Sequence, residues 1–239
     1  MNPASVAEAK KLFISIRKAV KKSDVTTVAI APPSVFLSDL ARLSPSGRVR
    51  LGVQRIWSES TGPQTGEISA PMVLSAGVTY VIIGHSERRA QGIDDVGVHD
   101  RLQAALKHNL VPIVCIGEKK RDDSGDFYQE VESQLKATLK DLKKSQVVKT
   151  IFAYEPVWAI GSGVTPTTGE IQEMRLFIEK VITQTVDRAT ARKVRVLYGG
   201  SVNDKNAGEI LRETTVQGFL VGGASLKPDM FAKIIKSAG

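Results

Sequence analysis

The chain has 239 residues, 42% hydrophobic and 24% charged, a composition typical of a globular protein with one large domain or two small ones. No apolar run reaches the ~18 residues that a bilayer span requires, and the N-terminus lacks a basic segment followed by an apolar one, so the sequence predicts neither a membrane protein nor a secreted one. A single cysteine, Cys115, excludes an intramolecular disulfide, and with only three histidines we expect no metal centre and a cytoplasmic location.

The net charge of +8 is a feature that nucleic-acid-binding proteins share. The basic residues, however, are spread along segments of helical periodicity, and aromatic residues make up only 5% of the chain and are not interleaved with them. The pattern therefore favours solvated helix faces over a nucleic-acid surface. The same charge would steer small anionic molecules toward the protein.

The chain opens with a predicted helix, for which Asn2 is a suitable N-cap, Pro3 suits the first turn, and Ser5 and Glu8 have the spacing of a capping box. Short β-branched runs then alternate with helical segments, without a linker between them, which predicts one α/β domain over residues 1–239 with a parallel sheet. The predicted strands are Val25–Ala31, Val49–Gly52, Thr79–Ile83, Val111–Ile116, Thr150–Tyr154, Val194–Tyr198 and Gly218–Val221. The clearest predicted helices are Val98–His108, Phe127–Lys144, Thr168–Val186 and Lys205–Glu213. Seven strands are one fewer than a closed (β/α)8 barrel needs.

The third predicted strand ends in "VIIGHSERR", with His85 at the strand end. A lone histidine after an apolar run is usually structural. Here Ser86, Glu87 and two arginines follow at once and make a polar cluster where barrel enzymes place their active residues. Both interpretations of His85 remain open from the residues alone.

The fifth predicted strand ends in "FAYEPVWAIGSGVTPT", with Glu155 at the strand end. A carboxylate leaving a buried strand is costly to desolvate unless it has a partner or a task. The stiff segment that begins at Pro156 is followed by Gly161, Ser162 and Gly163, a pattern typical of a lid with pliable hinges. An ordinary loop between strand and helix is the alternative.

The last two predicted strands end in "VLYGGSVN" and "GFLVGGASLKPD". Paired glycines let main-chain N–H groups approach an anion, and the loops after the last two strands of a barrel often form a phosphate site. A carboxylate base, an imidazole and a phosphate cradle together indicate enolisation of a small phosphorylated aldehyde or ketone.

The segments "GHSERR", "YEPVWAIGSG", "YGGSV" and "FLVGGASL" stand in the order typical of the triosephosphate isomerase family, and the chain resembles that family over essentially its whole length. The resemblance implies a (β/α)8 barrel that interconverts dihydroxyacetone phosphate and glyceraldehyde 3-phosphate through an enediolate, without a cofactor. It implies that Glu155 moves the proton between the two carbons and that His85 is the neutral electrophile on the enediolate oxygens.

The resemblance also implies supporting roles. Glu87 would support the site from behind, Ser86 would hold the base while the lid is open, and Cys115 matches a structural core position. Ile160 and Leu220 match an apolar clamp that closes over the base and excludes water. The main-chain N–H groups expected to bind the substrate phosphate are those of Gly161, Ser201, Gly222 and Gly223.

The segment "TGPQTGEISAP", residues 61–71, matches the long loop through which family members form homodimers, with Thr65 at the contact position. A homodimer is therefore implied. Two positions depart from the family pattern. Arg55 replaces an asparagine, and is expected either to restore positive charge near the site or to lie on its rim, and Asp94 replaces a buried glutamate near this loop.

The family's first strand ends in Asn-Trp-Lys-Met-Asn, and Met1 and Asn2 match only the last two residues of that motif. The first strand and the lysine that binds the substrate are not among these 239 residues. We therefore expect strongly impaired activity for this chain, and we expect a start drawn too late or a shortened chain, with a truncated homologue as the alternative. The alternative function is that of a non-catalytic homologue that binds a phosphate ligand or a partner protein.

Overall fold

A computed structural model describes residues 2–20, 26–43, 49–122, 124–160 and 164–239. These residues form six strands, namely β1 Val28–Ile30, β2 Val49–Val53, β3 Tyr80–Ile83, β4 Val111–Ile116, β5 Ile151–Tyr154 and β6 Arg195–Tyr198. The α-helices of the same residues are α1 Val6–Ala19, α2 Leu37–Ala41, α3 Ala70–Ser75, α4 Ser86–Ala90, α5 Asp95–Lys107, α6 Asp126–Leu139, α7 Lys144–Lys149, α8 Thr168–Thr185, α9 Arg188–Ala191, α10 Ala207–Glu213 and α11 Pro228–Ser237.

The six strands form one sheet in which every pair is parallel and the spatial order is the order along the chain. Parallel neighbours need crossover connections, and here helices fill them. Strand β5 is buried along its whole length, and β4 is buried except for Val111, because side chains pack against both faces of the sheet. This arrangement confirms the predicted α/β barrel class.

Two apolar layers lie on the two faces of the sheet. The larger layer lies between the sheet and the helices. The smaller layer contains Ile113, Cys115, Ile151 and Ala153 of strands β4 and β5, with Leu220 packed against it. Burying each large aliphatic side chain contributes about 1.5–3 kcal/mol, so these layers fix the strand register and with it the positions of the strand ends.

The seventh predicted strand, Gly218–Val221, is wrong as a strand. Only Phe219 forms a β-bridge, to Tyr198, although the Leu220 N–H also donates to the Tyr198 carbonyl at 2.9 Å. The segment therefore runs beside β6 without the length of a ladder. Gly218 has a φ of +144°, a conformation that residues other than glycine rarely adopt, and its carbonyl accepts from the Tyr198 N–H at 3.0 Å.

The helices confirm the predicted pattern with two corrections. The predicted helix Phe127–Lys144 is interrupted after Leu139, where Asp141 has a φ of +57° and turns the chain before α7 begins. At the N-terminus, Ser5 is the N-cap of α1, and its hydroxyl accepts from the Glu8 N–H at 3.2 Å. Asn2 therefore precedes the helix rather than capping it. Among the described residues, no helix is both long and apolar enough to cross a bilayer.

Candidate active site

Glu155 follows β5 directly and is 2% exposed. Its main chain continues the ladder, because its N–H donates to the Ile116 carbonyl at 2.8 Å. On the other side, the Gly199 N–H donates to the Tyr154 carbonyl at 2.8 Å. The ends of β4, β5 and β6 therefore hold the Glu155 main chain rigidly in the interior.

The carboxylate of Glu155 contacts three groups. Its Oε1 lies 3.2 Å from His85 Nε2, and its Oε2 accepts from the Ser86 N–H at 2.9 Å. The Cys115 thiol is a third hydrogen-bonding neighbour. The two residues predicted as base and electrophile are thus side by side, although 70 positions separate them in the chain.

Burial raises the pKa of Glu155 above the ordinary carboxyl value. The charge interaction with His85 and the hydrogen bonds from Ser86 and Cys115 act in the opposite direction without cancelling it. Burial, followed by the nearby Glu155 charge, raises the pKa of the Cys115 thiol well above its ordinary value. Cys115 therefore donates to the base as a neutral thiol, in addition to filling the core as predicted.

The imidazole of His85 is oriented by helix α4, for which it is the N-cap. Its Nδ1 accepts from the Glu87 N–H at 3.3 Å, so Nδ1 carries no proton and Nε2 presents its N–H toward Glu155. The Glu87 carboxylate itself is 83% exposed, and its Oε2 lies 3.9 Å from Nδ1. Glu87 therefore lies on the far side of the imidazole from the base.

At two positions beside the base, Gly117 and Gly199, a side chain would collide with Glu155. A Cβ on Gly117 would lie 1.8 Å from the Glu155 carbonyl oxygen, and one on Gly199 would lie 2.9 Å from Glu155 Cγ. Gly117 is in turn fixed by the Gln134 amide of α6, which donates to the Gly117 carbonyl at 3.0 Å and accepts from its N–H at 2.9 Å. Sequence reasoning did not single out Gly117, and it assigned the glycine after β6 to anion binding rather than to this packing.

The residues predicted to bind the substrate phosphate are more exposed than the base. Gly222 and Gly223 are exposed, and a Cβ on either would meet no atom within 4 Å. Neither has a positive φ. Ser201 is half-buried, and its carbonyl accepts from the Asn206 amide at 2.9 Å. Gly161 lies outside the described residues.

The two residues of the predicted apolar clamp, Leu220 and Ile160, lie in different surroundings. Leu220 packs against the layer that contains Cys115, next to Glu155. Ile160, at the start of the predicted lid, is 40% exposed. The lid begins with a short turn of 3-10 helix, Val157–Ala159, immediately after Pro156.

Sequence reasoning missed Glu118, which follows the end of β4 and is fully buried. Its Oε1 accepts from the Tyr154 hydroxyl at 2.8 Å and from the Trp158 indole N–H at 2.7 Å. Burial raises the pKa of Glu118, and the Trp158 and Tyr154 hydrogen bonds oppose that rise. Glu118 therefore ties the first turn of the predicted lid to the end of β4. The signal was available, because Glu118 follows a buried strand as Glu155 does.

The loop 61–71 follows β2. Its residues 61–66 are exposed, Thr65 among them, and its last two residues begin α3. Arg55 forms an ion pair with Glu67 at the base of this loop. Asp94 is exposed rather than buried. It caps α5 by accepting from the Gly97 N–H at 2.8 Å.

A parallel sheet whose consecutive strands are linked through helices, with a carboxylate and an imidazole meeting at its carboxyl ends, is the arrangement of a (β/α)-barrel enzyme. A family model described as triosephosphate isomerase matches residues 1–238. The chain belongs to the triosephosphate isomerase family.

Relatives from three bacteria carry the same description. A triosephosphate isomerase of Rhodopirellula baltica is 41% identical over 222 residues, covering 92% of this chain and 87% of the relative. One of Endomicrobium trichonymphae is 39% identical over 235 residues, covering 97% and 93%. One of Caldanaerobacter subterraneus is 40% identical over 231 residues, covering 96% and 93%. Similarity at this level over most of both chains supports a shared fold and a shared kind of site.

Proposed function

We propose that this chain interconverts dihydroxyacetone phosphate and glyceraldehyde 3-phosphate, with Glu155 as the base and His85 as the electrophile. The observation that carries the proposal is the 3.2 Å contact between Glu155 Oε1 and His85 Nε2 at the carboxyl ends of β5 and β3. In the absence of substrate, the carboxylate and the imidazole are in polar contact with each other. A carbonyl compound placed between them would replace that contact with one contact to each.

The reaction follows from the two groups. Glu155 takes the proton from the carbon next to the substrate carbonyl, and the C–H electron pair becomes the C=C bond of the enediolate. The carbonyl electron pair moves to oxygen, where the Nε2–H of His85 stabilises the charge. Protonated Glu155 then returns that proton to the neighbouring carbon. The hydroxyl proton of the first carbon passes to the former carbonyl oxygen, with Nε2 of His85 giving one proton and taking the other, so atoms and charge balance. A base with a raised pKa is better matched to this exchange near neutral pH than an ordinary carboxylate.

Phosphate binding is proposed for the main-chain N–H groups of Gly161, Ser201, Gly222 and Gly223. Support comes from the open space in front of Gly222 and Gly223, which would let an anion approach the backbone closely. Ile160 and Leu220 are proposed to close over the base, with Ser86 holding it beforehand and Glu87 supporting His85. The whole of residues 1–239 is proposed to form one barrel domain, working in the cytoplasm.

A homodimer through loop 61–71 is proposed as well. The loop tip around Thr65 is exposed, and the helix that follows it exposes Met72 by 59% and Leu74 by 36%. Apolar side chains beside an exposed loop are typical of a surface that another protein covers. Sedimentation equilibrium of the parent chain and of Thr65→Asp, which adds a charge at the tip, tests the proposal. A monomeric parent would contradict it.

The activity is tested by a coupled isomerase assay on the parent chain, with Glu155→Gln as the inactive counterpart and Glu59→Gln, an exposed carboxylate, as the matched control. We expect turnover that Glu155→Gln abolishes and Glu59→Gln leaves unchanged. Binding of 2-phosphoglycolate, an enediolate mimic, without any Glu155-dependent turnover would instead indicate a non-catalytic phosphate-binding homologue.

A further inference from the structure

A cavity of about 230 Å³ is lined by residues of the loop after β2, the end of β3, the α4 region and α5. Of the described residues that line it, none was assigned to the candidate active site. One water molecule needs only about 10–15 Å³ of such space. The cavity therefore has room for a ligand of several non-hydrogen atoms.

The charged groups that line this cavity are unequal in number. Three are guanidiniums and one is a carboxylate, namely Arg55, Arg88, Arg101 and Glu67. Arg55 forms an ion pair with Glu67, so the one negative charge already has a partner. Two positive charges in the wall remain without a negative charge among the described residues that line the cavity.

The other two guanidiniums donate to neutral acceptors. Arg88 donates to the Gln91 side chain, and Arg101 Nη1 donates to the Gly97 carbonyl at 2.7 Å. A guanidinium has five N–H donors, so both residues keep donors for a further acceptor. Burial, followed by the charge of Arg55, lowers the pKa of Arg101, and the charge of Glu67 acts in the opposite direction without cancelling it. An anion in the cavity would relieve this repulsion.

The cavity wall also holds a donor and an acceptor that have no partner. Trp57 Nε1 and Glu67 Oε2 are both buried, and neither has a hydrogen-bond partner among the described residues. The Trp57 ring is held in place, because its main-chain N–H donates to the Ile68 carbonyl at 2.8 Å and the Arg101 guanidinium stacks 5.2 Å from the ring centre. Buried polar atoms are usually hydrogen-bonded, so an unpartnered donor and an unpartnered acceptor in one cavity point to a ligand that supplies both partners.

The rest of the wall is largely apolar. Ile82 and Ile83 of β3 and Ile93 before α5 line the cavity beside the charged groups. Apolar surroundings lower the local dielectric constant, and charge interactions are stronger there than in water. A ligand of opposite charge would therefore be bound more tightly here than by arginines on an open surface.

We propose that this cavity binds a small oxyanion that also carries an O–H group, of which hydrogen phosphate is the simplest. The oxyanion oxygens accept from Arg88, Arg101 and the Trp57 indole N–H, while the O–H group donates to Glu67 Oε2. Sulfate has a similar shape and charge but no O–H group near neutral pH, so it leaves Glu67 Oε2 without a donor. This site is additional to the proposed substrate site and does not depend on the proposed function.

Binding is tested by NMR on the indole N–H peaks during a titration with sodium phosphate at pH 7.5 and constant ionic strength. Trp57 and Trp158 are the two tryptophans of the chain, and Trp57→Phe assigns the peaks. We expect a saturable downfield shift of the Trp57 peak, because its N–H gains an acceptor. A Trp57 peak that does not move would overturn the proposal.

The requirement for an O–H group is tested by the same titration with sodium sulfate. We expect phosphate to bind the parent chain at least about 5-fold more tightly than sulfate, since a site built around a hydrogen bond rejects an analogue that lacks the donor. Glu67→Gln offers an amide N–H in place of an acceptor and should abolish this preference. Equal affinities for the two ions in the parent chain would overturn the proposal.

Two variants test the guanidiniums. Arg101→Met should weaken phosphate binding at the Trp57 peak at least about 10-fold, because a charge-assisted hydrogen bond is lost. Arg88→Gln should act in the same direction and decides the question if Arg101→Met folds poorly. Arg192→Met, at an exposed position after α9, is the matched control and should change nothing. Undiminished binding in both Arg101→Met and Arg88→Gln would overturn the proposal.

Two further comparisons separate this cavity from other sites. Arg101→Met should leave any phosphate-induced shift of the Trp158 peak unaltered, because that peak reports on the proposed substrate site. Glu67 belongs to the loop 61–71 proposed to form the homodimer, so a second copy is the competing occupant of the cavity. A Trp57 shift that appears in Thr65→Asp and not in the parent chain would show that the second copy fills the cavity, and would overturn the proposal.

Discussion

The ends of β4 and β5 carry two carboxylates that are alike by position and different by partner. Glu118 and Glu155 both follow a buried strand, both are almost fully buried, and burial raises the pKa of both. Glu118 accepts from a phenol and an indole, two donors that stay neutral near pH 7. Glu155 accepts from an imidazole, a main-chain N–H and a thiol.

The difference teaches that burial alone does not identify a base. A carboxylate whose oxygen is occupied by Tyr154 and Trp158 acts as an anchor, because releasing it would leave two donors unpartnered in the interior. A carboxylate next to an imidazole can exchange that contact for one with substrate. The following four experiments test whether partner chemistry separates the two residues, in order of decreasing expected effect.

Replacing each carboxylate by its amide should affect turnover unequally. Glu155→Gln should lower kcat/KM by about 10³-fold or more, since proton abstraction by a positioned base contributes about 10²–10⁴-fold. Glu118→Gln keeps an oxygen for Tyr154 and Trp158 and should lower kcat/KM less than about 10-fold by the same reasoning. The coupled isomerase assay measures both. Equal losses would remove the distinction between base and anchor.

Removing the anchor should destabilise the protein. Glu118→Ala leaves the Tyr154 hydroxyl and the Trp158 N–H without their acceptor, a cost of about 2–4 kcal/mol in the free energy of unfolding. Urea denaturation at pH 7 measures the change, with the exposed Glu59→Ala as the matched control, for which we expect a change within about 0.5 kcal/mol. A loss for Glu118→Ala no larger than that of the control would show that the site relaxes around the missing group.

Neutralising the base should stabilise the protein, with a defined pH dependence. Because the folded-state pKa of Glu155 lies above its unfolded value, its proton stabilises the folded state at low pH, and that contribution is lost as the pH rises through the folded pKa. Glu155→Gln should therefore raise Tm by about 2–4 °C at pH 7.5, as about 1 kcal/mol would for a chain of this size. The gain should vanish near pH 4. A gain that grows toward low pH would contradict the raised pKa.

Removing the thiol should produce the smallest change. Cys115→Ala deletes a hydrogen bond that lowers the pKa of Glu155, so that pKa should rise further. The acid limb of the kcat/KM profile should then move to higher pH by about half a unit, while Cys115→Ser keeps a donor and should move it less. A shift to lower pH would show that the thiol does not donate to the carboxylate.

The sequence allowed prediction of the fold class and of the meeting of Glu155 and His85, because parallel strands bring their carboxyl ends to one edge. It did not reveal Glu118 as the lid anchor, since the partner Trp158 lies forty positions away on another loop. The interruption after α6 depends on the positive φ of Asp141, which helical periodicity does not report. These features depend on contacts between loops, and the strand pattern does not specify such contacts.

The glycines after β6 show the same limit of prediction from the sequence. The paired glycines after β6 were predicted to admit an anion, whereas a side chain at Gly200 would collide with the Tyr198 hydroxyl, 2.2 Å from its Cβ. One residue type thus serves two purposes in neighbouring loops. Only the three-dimensional contacts separate a glycine required for packing from one that leaves room for a ligand.

That separation has a consequence for redesign. A library randomised at Gly117 and Gly199 should return glycine alone from any selection for folded protein, because the Glu155 main chain and Cγ fill the space that a side chain would need. A Cβ at Gly222 or Gly223 would meet no atom within 4 Å, so a side chain there has space. New anion specificities are therefore best sought at 222 and 223, where a longer side chain could shorten the pocket or bring its own charge without disturbing the base.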